Sequence, residues 1–303
     1  RSQPWDYPHF ISRAWDYGFR AQRILDMIED APGKIDIAYM QSMQGDSFDV
    51  NGPAFVPLLT AMDYKAATPN GAIGMDLLSK WDYLARADSA GAAIFNAFWR
   101  YFLQNTFNDQ MPDERYYPDG GSRWNEIMRQ MDENSSWWDD ITTADVVETR
   151  ADIMRKSFEQ GVEELERIFG NDPAEWKWGE IHYATFRNAT LGESGVGLIE
   201  DLFNRGPFPT GGGDSIVNAT GWSLREGYPV TSLPSMRMIV DLGDLRNSLT
   251  VHTTGQSGHA SHPHYIDMAE MWANLQYYSM LWDQNDVMSQ AEGHLVLTPK
   301  DME

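Results

Sequence analysis

His259, His262 and His264 stand at H-x-x-H-x-H spacing inside HTTGQSGHASHPHY (252–265), a stretch that holds four of the seven histidines. Imidazoles bind zinc, but a zinc site needs three or four converging ligands on a regular scaffold. Here the spacing falls in a Gly/Ser/Pro stretch, which favours a polar loop over a metal site. Ser257, within Gly255-Gln256-Ser257-Gly258, imitates a nucleophile elbow. That motif requires glycine two residues after the serine, and position 259 is histidine. GESGVG (192–197) fails the same test at Val196. GGGD (211–214) could cradle a phosphate at a helix start, but no Lys-Ser/Thr follows, so it reads as a turn. Trp137-Trp138 and Trp176-Lys177-Trp178 read as packing residues, given the area an indole buries. Taken residue by residue, no complete catalytic site emerges.

Composition narrows the remaining classes. The 303 residues are 42% apolar and 13% aromatic, enough for one large or two ordinary domains. The formal charge is −22, from 45 acidic and 23 basic residues. Such a surface repels phosphate backbones, which argues against a nucleic-acid partner. The acids are dispersed through amphipathic segments, as on a solubilising surface, and no Asp-x-Asp-x-Asp-Gly calcium loop occurs. With no cysteine, disulfides, thiolate metal sites and a cysteine nucleophile are excluded. No apolar run approaches the ~18 residues of a membrane span. RSQPWDYPHF carries no apolar signal core. With no initiator methionine, Arg1 reads as the start of a fragment or of a processed subunit.

The elements that must position any site divide the chain. Periodicity predicts a helix over 12–30, with Phe19, Ile24, Leu25 and Ile28 near one face and a stop at Pro32-Gly33. A second helical stretch, 36–62, is interrupted around Asn51-Gly52-Pro53, and 76–107 gives two more helices. The clearest helix spans 142–170, with a capping box from Thr142 to Asp145 and Gly170 as its stop. After residue 190 glycines crowd in. Short β-like runs follow at 215–220, 235–242 and 248–254, then a helix at 265–280 and a strand at 293–299. The expectation is an α+β chain, mainly helical over 1–190 and strand-rich over 191–303. Three or four short strands make a poor sheet alone, so they should be edges of a sheet whose other strands lie elsewhere.

Specific segments carry a resemblance. SLPSMRMIVDLGD, TTGQSGHASHPHYIDMAEMW, GHLVLTP and PTGGGDSIVNA in the tail, and QPWDYPHFISRAWDYGFRAQRI, YMQSMQGDSFDVNGPAFVPLL and LLSKWDYLARADSAGAAIF at the front, resemble the C-terminal part of the β subunit of the penicillin acylase (penicillin amidase) family. These are N-terminal-nucleophile (Ntn) amidohydrolases. The match is strong at both ends and loose over about 105–190. It implies acyl-amide hydrolysis by a precursor that cleaves itself into α and β subunits. The new terminal serine is the nucleophile and its own amine the base, while a backbone N–H and an asparagine hold the oxyanion. It also implies a periplasmic or secreted heterodimer with roles such as antibiotic metabolism, and a tail that completes the Ntn αββα sheet. Partners would be the α subunit, the N-terminal part of the β subunit and a small acyl-amide substrate, with no nucleic acid and no membrane.

The sequence departs from that pattern at its start. Residue 1 is Arg, and Ser2 is not terminal. Nucleophile and oxyanion asparagine are therefore expected outside this chain, and the isolated chain is expected to be inactive. One family site residue carries over. Arg20 aligns with the arginine near the oxyanion asparagine, where a fixed guanidinium helps position substrate and active-site groups. The plainer reading is a helix-surface arginine paired with Asp16. Calcium is possible in a complete enzyme of this kind, but YPHFIS lacks the acid that some members place after Tyr-Pro, and no other ligand is identifiable. No further cofactor is implied. Loop 252–265 then becomes a conformational link, with Gly255 and Gly258 permitting positive φ and Ser257 and Ser261 satisfying backbone groups. An inert scaffold of the same architecture is the alternative.

Overall fold

The computed structural model describes residues 8–13 and 16–299. Expectations for Arg1 and Ser2, and the part of the predicted 12–30 helix at residues 14–15, lie outside the described residues. The helices are α1 (Phe19–Glu29), α2 (Ile37–Gln44), α3 (Gly52–Thr60), α4 (Pro69–Ser79), α5 (Ala90–Phe107), α6 (Ser122–Gln130), α7 (Arg150–Phe169), α8 (Trp178–Ile181), α9 (Gly197–Phe203), α10 (Ala269–Ala273) and α11 (Gln284–Gln290). The strands are β1 (Tyr183–Phe186), β2 (Arg205–Pro209), β3 (Gly221–Trp222), β4 (Val230–Ser232), β5 (Met236–Ile239), β6 (Leu249–His252) and β7 (Tyr278–Ser279).

The scaffold is built on α5 against α7. Ser89 opens α5, its hydroxyl accepting the Ala92 N–H at 3.1 Å. The helix is then apolar almost all round and is buried from Gly91 to Trp99, as expected of a central core helix. Phe95, Phe98 and Phe102 stack along it, and Phe102 lies parallel to Trp138 with 5.8 Å between ring centres. α7 presents Ile153, Met154, Phe158, Val162 and Leu165 at helical spacing. The same core takes in Trp176, Trp178, Ile216, Trp222 and Tyr228, so residues on both sides of position 190 build it. Trp138, Trp176 and Trp178 are buried as packing residues, while Trp137 lies at the surface.

The start of α7 differs from expectation. The capping box is Thr149 with Asp152, not Thr142 with Asp145. Thr149 N–H donates to Asp152 Oδ2 at 3.0 Å, and Asp152 N–H to Thr149 Oγ1 at 3.3 Å. Both threonines have an aspartate three residues on. Only Thr149 stands one turn before the first buried residue, Ile153, whereas Val146 and Val147 are exposed. Asp145, at φ 61°, is not in a helix. Thr149→Ala should destabilise the fold by about 1 kcal/mol; denaturant unfolding that leaves Thr142→Ala unaffected checks the assignment.

The strand-rich tail forms two two-stranded sheets, β1-β2 and β3-β4, and one three-stranded sheet, β5-β6-β7, all antiparallel. Among the described residues no closed or layered sheet is present. β5 alternates as the sequence predicts, with Arg237 and Ile239 buried. Its apolar partners Met236, Met238 and Val240 face outward, exposed by 54, 44 and 38%. Three expectations fail here. Residues 215–220 are not a strand: Ser215 sits at φ 60°, and the Asn218 side chain bonds back to the Gly211 carbonyl. The helix expected over 265–280 shrinks to α10, because Leu275 turns left-handed at φ 57° and the chain enters β7. Residues 293–299 form no strand, and Leu295 and Leu297 are exposed. α1 likewise starts at Phe19 and buries no residue completely; Leu25 and Ile28 stay exposed.

Candidate functional site

Arg20 lies in the first turn of α1, exposed to solvent. Gly18 precedes the helix in the left-handed conformation (φ 78°), which glycine adopts without strain. Asp16 fixes this turn: it accepts the Gly18 N–H at 2.9 Å and the Ser122 hydroxyl of α6 at 3.0 Å. Asp16 is thus committed to the turn, and no Arg20–Asp16 ion pair forms. Phe19 packs under the Arg129 guanidinium, 5.3 Å from its ring centre. Further along, Arg23 grips Asp46 with two bonds of 3.0 and 2.7 Å and covers the Phe48 ring. α1 is therefore held by polar and cation–π contacts where its apolar face finds little to pack against.

Near these arginines sit two carboxylates, Asp49 buried and Asp214 partly buried. Burial pushes Asp214 up to about 6, opposed by the Ser215 hydroxyl and then by Arg20, while Asp119 and Asp16 add to the rise. Burial also lifts Asp49 to about 6, against the Asn51 and Gly52 N–H groups and Arg129. Both carboxylates line one small cavity with Asn51, Asn96, Trp99, Asn125 and Trp222. Arg20 thus faces a titratable interior. The sequence offered no signal for it, because the cavity draws on segments as far apart as Asp49 and Trp222.

The histidine loop does other work. His264 Nδ1 pairs with Asp267 at 2.6 Å and its Nε2 with Glu292 at 3.0 Å. His262 Nδ1 accepts the His264 N–H, and His259 Nδ1 the Ser261 N–H. The three rings are used separately, and among the described residues no group of three metal-ligating His, Asp or Glu side chains converges. Ser257 accepts the His259 N–H at 3.1 Å, a local turn bond as expected. Neither Gly255 nor Gly258 has positive φ. Gly255 is required for a different reason: a Cβ there would meet the His264 carbonyl oxygen at 2.0 Å. Gly258 has open space around it. A cleft of about 240 Å³ lined by Arg187, Arg205, Ser257 and Tyr265 adjoins the loop. Two buried polar groups escaped the sequence reading. His182 stacks on Trp178 and bonds to Tyr228 and Thr220, its imidazole pushed down to about 4 by burial. Arg237 is spread over Trp272 and bonds to its carbonyl and to Asn218. Both hold the tail to the core.

Asp267 first, and then Glu292, hold the His264 imidazole above its ordinary value of 6.5. A raised folded value means the clasp contributes fully below the ordinary histidine range and is lost as pH rises through the raised value. Hydrogen exchange of residues 291–299 should therefore speed up across that window, and Glu292→Gln should flatten the dependence.

The sequence profile of the penicillin amidase family matches residues 1–289. The chain belongs to the penicillin amidase family. Among its relatives is an acyl-homoserine lactone acylase, QuiP, of Pseudomonas aeruginosa, 28% identical over 325 aligned positions that cover 95% of this chain and 37% of that protein. The penicillin acylase 2 proenzyme of Pseudomonas sp. (strain SE83) is 22% identical over 301 positions, 97% of this chain and 37% of the relative. The chain thus spans little more than a third of the curated relatives it matches. A thermostable penicillin G acylase from Alcaligenes faecalis shares the fold with a TM-score of 0.54 at 14% identity, over 99% of this chain and 56% of that one. An amidohydrolase of the penicillin amidase type is the family's activity class, and the mixed α+β architecture agrees with it.

Proposed function

We propose that the protein containing this chain hydrolyses the amide bond of an N-acyl substrate, with the chain forming the C-terminal part of the β subunit. The observation that carries this reading is the family match over residues 1–289. The terminal serine, its amine and the oxyanion asparagine would come from the part of the precursor outside this chain. The serine attacks the acyl carbon, its own amine takes the proton and later returns it to the leaving amine, and water releases the acyl group. Arg20 would fix the asparagine that holds the oxyanion. The outward face of Met236, Met238 and Val240 would pack in the complete sheet, beside the N-terminal part of the β subunit and near the α subunit. A site outside the cytoplasm fits the same reading.

An N-acyl-homoserine lactone is the first substrate to test, because the relative at 28% identity bears that name; a phenylacetyl amide is the second. The full-length protein is expected to mature into two chains, the larger beginning with serine, and to release free amine from at least one of these substrates. The 303-residue chain alone should release none. A full-length protein that stays uncleaved and leaves both amides intact would favour the inert scaffold.

A further inference from the structure

Between the start of α3, α5, α6 and the 213–222 turn lies a cavity of about 20 Å³, room for one water or one bare ion. Its polar lining is rich in acceptors. Asp49 and Asp214 bring carboxylates to it, and Asn51 and Asn125 are 5% and 1% exposed. The Oδ1 atoms of both asparagines have no hydrogen-bond partner. A relay fixes the orientation of one of these amides. Ser215 gives its hydroxyl proton to Asp214 at 3.2 Å, so it must accept from Asn125 Nδ2, also at 3.2 Å. The Asn125 oxygen is left with nothing to accept from. Asp49 receives only backbone N–H groups, Asn51 N–H at 2.8 Å among them. Buried acceptors without donors are costly, and the buried carboxylate of Asp49 beside the partly buried one of Asp214 more so.

We infer that this cavity binds one calcium ion through the carboxylates of Asp49 and Asp214 and the amide oxygens of Asn51 and Asn125. An all-oxygen donor set selects a hard cation over zinc or copper. Magnesium keeps several waters in a strict octahedron, and the cavity has no room for them. Two carboxylates match a divalent ion better than sodium, and if both bind through two oxygens the four side chains supply six ligands. Arg129 and Arg20 face the carboxylates from α6 and α1 but act at longer range than an ion pair, and Asp119 and Asp16 oppose them on the Asp214 side. The ligand set shares no residue with the position after Tyr7-Pro8, where the family resemblance looks for an acid. The competing occupant is a single water that donates to the two amide oxygens and leaves both carboxylates unneutralised.

Trp99 and Trp222 line the same cavity, so terbium(III) placed there should luminesce when tryptophan is excited. In the full-length protein this signal should be displaced by calcium. The Asp49→Asn/Asp214→Asn double variant should reduce it at least ten-fold and carry one calcium fewer per chain by elemental analysis. The comparison cancels any other calcium in the protein. Asn51→Asp, which adds a charged ligand at nearly constant volume, should bind calcium at least ten-fold more tightly and decides the matter if the double variant does not fold. Equal calcium content in wild type and double variant, no calcium-displaceable terbium signal, or an unchanged affinity in Asn51→Asp would each overturn the inference and leave the cavity to water.

Discussion

Arg20→Lys in the full-length protein is expected to lower turnover, or to block self-cleavage, by about 10²-fold while the fold survives. That is the usual cost of losing one oriented donor near an oxyanion. Lysine keeps the charge but replaces a planar fork with a point donor on a flexible stem. The structure separates rate from stability at this residue. Arg20 is exposed in the first turn of α1 and Asp16 is engaged elsewhere, so little stability rests on it. An arginine acting only as a surface charge would cost less than about 1 kcal/mol and leave turnover alone. Matched melting curves with a hundred-fold loss of kcat support the positioning role. Normal maturation and wild-type turnover would make Arg20 an ordinary surface residue.

Legibility in this sequence followed the range of the interaction. α5 and α7 are evident because their apolar spacing repeats over 18 and 20 residues. β5 and β6 show because alternation is a local signal. The failures share a cause. Residues 215–220 have strand-like composition, yet Asn218 and Ser215 bond across the chain and fold the segment into a turn. The Thr142 box satisfies the local rule, but only Thr149 precedes a buried face. Leu295, Val296 and Leu297 form a short apolar run with no partner strand among the described residues, and strand-like composition alone does not make a ladder. The cavity at Asp49 and Asp214 was invisible for the strongest reason: Asp49, Asn51, Asn125 and Asp214 meet only after α3, α5 and α6 have packed. Arg20 was reached through resemblance, since one arginine on an amphipathic helix carries no chemical signature.

The packing of α5 on α7 makes a second prediction, one whose sign decides between two accounts of Gly161. A glycine inside a helix is ordinarily a weakness, and replacing it with alanine gains about 1 kcal/mol. Gly74 in α4 should behave this way, because a Cβ there would meet Val162 and Phe158 at 3.5 and 3.6 Å, ordinary contact distances. Gly161 should do the opposite. Its added Cβ would lie 2.9 Å from the Phe98 nitrogen and 3.0 Å from the Ala97 carbonyl carbon. Those are backbone atoms of a buried helix and cannot rotate aside, so α7 would have to move off α5. Overpacking of this kind costs about 1–3 kcal/mol, enough to outweigh the gain in helix propensity. Gly161→Ala is therefore expected to lower the denaturant midpoint while Gly74→Ala raises it, and Gly161→Leu should lower it further, against a total stability of only about 5–15 kcal/mol. If Gly161→Ala stabilised the protein as Gly74→Ala does, the two helices would not touch backbone to backbone, and the close approach that seats Asn96 and Trp99 beside the polar cavity would be wrong.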